Sequence, residues 1–159
     1  MSSLASFGNG GLRFYGHCHT VAACMMSDRT DDRDTCQPLD ILATVVGIGG
    51  ALLELVADEQ MHAFAKVKQP GQVMDRGLWR YSRHPNYLGE IMFWLSLYLF
   101  ALAVGFGFWW SGVGVLAMIG MFAGASIPML DDRSEARRPE FGEYRRRTSA
   151  LIPMPPKRG

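Results

Sequence analysis

Charged and apolar positions are sharply segregated along the chain. From Ile91 to Leu130 forty consecutive residues contain no Asp, Glu, Lys, Arg or His, and the last 29 residues then carry eight basic and five acidic side chains. A bilayer core about 30 Å thick needs roughly 20 apolar residues of helix, so this run accommodates two crossings. Its midpoint, Gly105-Phe106-Gly107-Phe108-Trp109-Trp110-Ser111-Gly112, mixes turn-permitting glycines with aromatic residues favoured at a membrane interface. The pattern predicts a helical hairpin turning there, with spans over about 88–106 and 110–130. An earlier apolar segment, Ile41 to Val56, is interrupted by Glu54 and followed by Asp58, and predicts a further span over about 41–57. Glu54, Asp58 and His62 recur every four residues, so they share a helical face that should point into protein or a wet cavity rather than lipid. The fold class expected is all-α: a multipass membrane bundle of about three transmembrane helices, followed by a charged tail, 131–159.

Charge then sets the expected orientation. Arg76, Arg80 and Arg83 precede the hairpin and Arg133, Arg137 and Arg138 follow it, while its tip is uncharged. By the positive-inside tendency the basic connector and the tail face the cytosol. No retention or lipidation signal names the membrane; the endoplasmic reticulum is the expectation for a eukaryotic chain. Residues 1 to 38 lack the apolar stretch of a signal peptide, and Asp28, Asp31, Asp32 and Asp34 argue against a transit peptide. They are expected to form a poorly ordered leader, with the membrane domain over 39–159. Cys18, Cys24 and Cys36 are odd in number and imply no disulfide framework. His17-Cys18-His19 with Cys24 lacks the second cluster of a zinc fold, so no metal site is assigned.

Gln69-Pro70-Gly71 should end the first helix, and Pro85 suits the first turn of the next. Close approach of helices in lipid relies on small residues, and Gly47, Gly49, Gly50 and the pair Gly120/Gly124 are expected to serve intramolecular packing.

The densest polar constellation is Arg80-Tyr81-Ser82-Arg83-His84-Pro85-Asn86-Tyr87-Leu88-Gly89-Glu90, where the basic connector enters a membrane helix. Free N–H groups at a helix start and guanidinium forks favour a phosphate or carboxylate. Asn86 and Glu90, four apart, project an amide and a carboxylate toward the same ligand, and Glu90 so near the apolar run needs an arginine or a ribose hydroxyl as partner. Topology-setting charges alone explain the arginines but not His84, Asn86 and Glu90.

The string Gly77-Leu78-Trp79-Arg80-Tyr81-Ser82-Arg83-His84-Pro85-Asn86-Tyr87-Leu88-Gly89-Glu90 resembles the signature of the steroid 5-alpha-reductase C-terminal-like family. Glu54-Leu55-Val56-Ala57-Asp58-Glu59-Gln60 with Phe64 is similar to the helix before that signature. Ile127-Pro128-Met129-Leu130, Glu143-Tyr144-Arg145-Arg146-Arg147-Thr148-Ser149 and Ile152-Pro153 are similar to its closing segment. The resemblance implies a helical membrane fold whose cytosol-facing pocket holds NADPH and reduces a carbon-carbon double bond in a lipid or steroid-like substrate. By position it implies cofactor contacts from Asp58, Asn86 and Glu90, with Arg83 and His84 beside them and Tyr144 closing the pocket from the tail; it points to no catalytic proton donor.

Members of that family have further membrane helices on the N-terminal side, where this chain has its leader, so an incomplete substrate pocket is expected. Two other readings stay open. A methyltransferase resembling the isoprenylcysteine carboxyl methyltransferases would bind S-adenosylmethionine, but the Trp79-Arg80-Tyr81-Ser82 lead-in, Asn86 after the proline and the Thr148-Ser149 close look more reductase-like, and Asp131-Asp132 stands where those methyltransferases tend to have two adjacent glutamates. A truncated, non-catalytic membrane protein would keep the pocket only as a remnant. The expected partners are the lipid bilayer and a hydrophobic small molecule. Nucleic acid is not expected, because the basic run Arg145-Arg146-Arg147 alternates with acids and is attached to a membrane domain.

Overall fold

The computed structural model describes residues 38–157. The expected leader, Pro38 excepted, lies outside the described residues, and so do Cys18, Cys24 and Cys36 with the neighbouring histidines. The described chain is helical, its only extended pairing an isolated bridge between Ser82 and Ser149. Helix α1 is Pro38–Val67 and α2 is Pro85–Val104. A 3₁₀ segment Phe106–Ser111 then leads into α3, Gly112–Met121, which continues through a π turn, Phe122–Ser126, into α4, Ile127–Arg137; the short α5 is Phe141–Arg147. Among the described residues, α1, α2 and the stretch Phe106–Arg137 are the three helices long and apolar enough to cross a membrane.

The spans carry their large apolar residues outward and their small ones inward. Ile41, Val45, Ile48, Leu52 and Leu55 form an exposed stripe on α1, whereas Ala43, Gly50 and Ala57, seven apart, are buried. Lipid tails are as apolar as leucine, so helix association is driven by backbone proximity and packing rather than by hiding leucines. At the α1–α2 crossing a Cβ added to Gly50 would come 2.7 Å from the Gly89 carbonyl oxygen, and one added to Gly89 would come 2.8 Å from the Glu54 backbone nitrogen. Gly47 faces Ser96 in the same way. Gly120 and Gly124 do not serve intramolecular packing, contrary to expectation, since a Cβ on either meets nothing within 4 Å.

The connector between α1 and α2 is built in rather than floating at an interface. α1 runs through Asp58 and His62 before stopping at Val67, ahead of Gln69-Pro70-Gly71. A 3₁₀ turn, Gly77–Arg80, then docks on it. The Leu78 amide donates to Gln60 Oε1 at 2.9 Å and the Trp79 indole N–H donates to the Ala57 carbonyl at 3.0 Å. Gly77 has φ +58° and its Cα faces the Gln60 amide, so a side chain there would be both strained and obstructed. Trp79 is only 8% exposed.

In the third span, Pro128 lacks the N–H that a regular helix would direct at the Gly124 carbonyl, and the π turn immediately before it absorbs the mismatch. That turn buries Phe122, which forms a core with Ile91 and Ile127, bordered by Tyr87, Met118, Ala150 and Leu151. The core therefore sits at the polar end of the bundle, where α2, the third span and the tail converge.

Candidate functional site

Asp131 organises this end of the molecule. It is the first charge after the uncharged run, and at 1% exposure it is the most deeply buried ionisable group described. Its Oδ2 lies 2.6 Å from Arg83 Nη1 and its Oδ1 lies 3.2 Å from His84 Nε2. Arg145 approaches at 4.0 Å while its Nη1 donates to Asp132 at 2.7 Å and Glu135 at 2.9 Å. Those two hydrogen bonds raise the Arg145 guanidinium above its usual range. For Arg83, burial acts the other way and lowers it, with the Asp131 charge opposing.

Local chain geometry holds these groups in place. The Ser82 hydroxyl donates to the Leu151 carbonyl at 2.8 Å and accepts from the His84 amide at 3.2 Å. The Arg83 amide donates to the Ser149 carbonyl and the Met154 amide donates to the Tyr81 carbonyl, at 2.9 and 3.0 Å. The tail is thus laced to the connector by backbone hydrogen bonds. His84 then stacks on Tyr87 with centroids 5.3 Å apart, and Tyr87 stacks on Phe122 at 4.3 Å. This three-ring ladder joins the ion-pair cluster to the third span.

Arg83 and His84 come together on Asp131, and Asn86 follows in the first turn of α2. Of the two partners expected for Glu90, an arginine or a ribose hydroxyl, no arginine pairs with it among the described residues, and Arg83 turns to Asp131. Glu90 on α2 lies within electrostatic reach of Asp58 on α1. Both are half-buried, as is Glu54 one turn earlier on α1, whereas His62 on the same face is exposed. Tyr144 lies in α5 and is buried. Its hydroxyl donates to the Trp79 carbonyl, which pins α5 to the connector within electrostatic reach of Arg83. Burial holds that phenol well above its usual range, so it stays protonated.

Two buried polar functions in this cluster lack hydrogen-bond partners among the described residues. Arg83 Nε has none, and its Nη1, though close to Asp131, is not aligned to donate; Asn86 Oδ1 also has none. Buried polar atoms are nearly always satisfied, so such orphans are candidate contacts for a bound molecule or ordered water. A donor at Arg83, an acceptor at Asn86 and the carboxylates Asp58 and Glu90 suit a ligand that carries both anionic groups and hydroxyl or amide hydrogens. The nicotinamide dinucleotide phosphate implied by the resemblance has such groups.

Asp131 escaped the sequence reading because Asp131-Asp132 looks like the start of a solvated tail. The available signal was its position: Glu90 and Asp131 are the two charges that bound the uncharged run, and a charge at such a boundary needs a partner.

A protein of Schizosaccharomyces pombe named Uncharacterized protein C594.04c is 36% identical to this chain over 78 residues, which is 48% of this chain. The match spans 22% of that relative's own length. No solved structure matches the chain. The family described as Protein of unknown function (DUF1295) matches residues 10–148, which takes in all three spans, the connector, the Asp131 cluster and α5. The chain belongs to that family.

Proposed function

We propose that this chain is a membrane-bound, NADPH-dependent reductase acting on a carbon-carbon double bond of a lipid or steroid-like substrate. The observation that carries the reading is the pair of buried groups at the start of α2 without hydrogen-bond partners among the described residues, Arg83 Nε and Asn86 Oδ1, together with the carboxylates of Asp58 and Glu90 within electrostatic reach of each other. Arg83 supplies the cation for a phosphate, and Asn86 accepts from an amide N–H. Asp58 and Glu90 accept from ribose hydroxyls, which relieves the repulsion between them. When bound, the cofactor supplies hydride; the protein orients it and excludes water. His84 and Tyr144 act through others, His84 by fixing Asp131 and Tyr144 by fixing the connector.

The test is equilibrium binding of NADPH to detergent-purified full chain, with S-adenosylmethionine as competitor and Glu90→Gln as the variant. Replacing a charged acceptor by a neutral one should weaken NADPH about tenfold or more. If S-adenosylmethionine alone binds, the methyltransferase reading replaces this one, and if neither binds the enzyme reading falls.

A further inference from the structure

A second polar feature lies outside the Arg83–Asp131 cluster. Between the connector and the tail is a hollow of about 490 Å³ lined by Asp75, Arg76, Arg80, Tyr144, Arg147 and Thr148, among others. Arg76 and Arg80 bracket the 3₁₀ turn that is pinned to α1, and Arg147 ends α5. Three exposed arginines from two chain segments far apart in sequence thus line one hollow, and Asp75 is the one acidic residue among its lining residues.

That aspartate is already engaged, with Oδ2 3.1 Å from Arg147 Nη2. Arg80 lies over the Tyr81 ring at 6.0 Å, a weak contact for a cation, and no side-chain ion pair holds Arg76 among the described residues. Like charges gathered in a concave site, with walls that slow screening, raise the local concentration of anions. The floor is rigid and polar. The Tyr144 hydroxyl is committed to the Trp79 carbonyl, Thr148 is buried, and the Lys157 amide donates to the Arg147 carbonyl at 2.9 Å. Guanidinium forks at fixed spacing match phosphate oxygens in a way that isolated surface charges do not.

We infer that this hollow is a binding site for a phosphate monoester, held by Arg76, Arg80 and Arg147. The proposal is independent of the cofactor reading, which rests on Asp58, Arg83, Asn86 and Glu90. Two sources carry the same chemistry: the headgroup of a phosphatidate-type lipid, since the hollow lies at the end of the spans where the chain leaves the apolar stretch, and a soluble phosphate monoester.

The experiment is calorimetric titration of the full chain in detergent with short-chain phosphatidate, with glycerol 3-phosphate and with inorganic phosphate. It compares the unaltered protein, Arg76→Gln/Arg80→Gln, and Arg133→Gln/Arg137→Gln. The last removes the same charge from exposed positions on α4. The expected result is saturable binding that the hollow variant weakens about tenfold or more and the α4 variant leaves within about twofold. Binding of phosphatidate alone assigns a lipid source, and binding of the soluble phosphates assigns a soluble one. Equal weakening by both variants, or binding of none of the three probes to the unaltered protein, overturns the proposal. An unchanged melting temperature for Arg76→Gln/Arg80→Gln separates lost binding from lost folding.

Discussion

At the scale of single residues, the decisive contrast is between two adjacent aspartates. Asp131 is enclosed with side-chain exposure of 2% and faces Arg83 at 10%, whereas Asp132 is 69% exposed. Removing one partner of a buried pair leaves the other charge desolvated and uncompensated, which costs about 3–5 kcal/mol. An exposed pair contributes about 1 kcal/mol or less. Asp131→Asn should therefore lower unfolding stability by about 3 kcal/mol, and Asp132→Asn by less than about 1 kcal/mol, as read by denaturant unfolding in detergent. Equal effects would mean that Asp131 does not organise this end of the fold. The two residues are indistinguishable in sequence. One helical step of about 100° separates a side chain turned onto Arg83 from one turned to water.

At the scale of elements, the α1–α2 seam and the third span make opposite uses of glycine. Gly50→Ala would drive a methyl against the Gly89 carbonyl oxygen at 2.7 Å and Met92 Cβ at 2.8 Å, both parts of a packed helix. Overpacking of that kind costs about 1–3 kcal/mol. Gly124→Ala meets nothing and gains helix propensity, an effect between zero and about 1 kcal/mol of stabilisation. Thermal melts of the two variants check both signs together. The spans, the uncharged turn near Gly105 and the start of α2 at Pro85 were legible because lipid imposes a length and a polarity on any crossing segment. Which glycines face a neighbour was not, because both sets look alike until the helices are placed side by side.

At the scale of the whole molecule, a relay runs from the tail to the first span: the Tyr144 hydroxyl to the Trp79 carbonyl, and the Trp79 indole to the Ala57 carbonyl. Tyr144→Phe leaves that carbonyl unsatisfied and should cost about 1–3 kcal/mol at neutral pH. It should also change the pH dependence. The phenol's folded value lies above its ordinary 10.0, so below pH 10 both states hold the proton and its contribution is complete. Above pH 10 the unfolded chain releases the proton first, which favours unfolding, and stability falls as pH rises. The unaltered protein should lose stability more steeply above pH 10 than Tyr144→Phe does, and parallel curves would refute a buried, proton-holding Tyr144.

The sequence by itself determined the class of this protein, because an uncharged run of forty residues has few places to reside other than a bilayer. It also located the Arg83-to-Glu90 constellation, since ionisable groups beside such a run must be satisfied somehow. Only the tertiary structure decided who satisfies whom. Arg83 goes to Asp131, Glu90 lies within electrostatic reach of Asp58, and Tyr144 holds the connector through the Trp79 carbonyl. Those pairings join segments tens of residues apart, and they depend on how α1, α2, the third span and the returning tail converge at one end. Local periodicity places a side chain on a face of its own helix, but it carries no information about which face of another element arrives opposite.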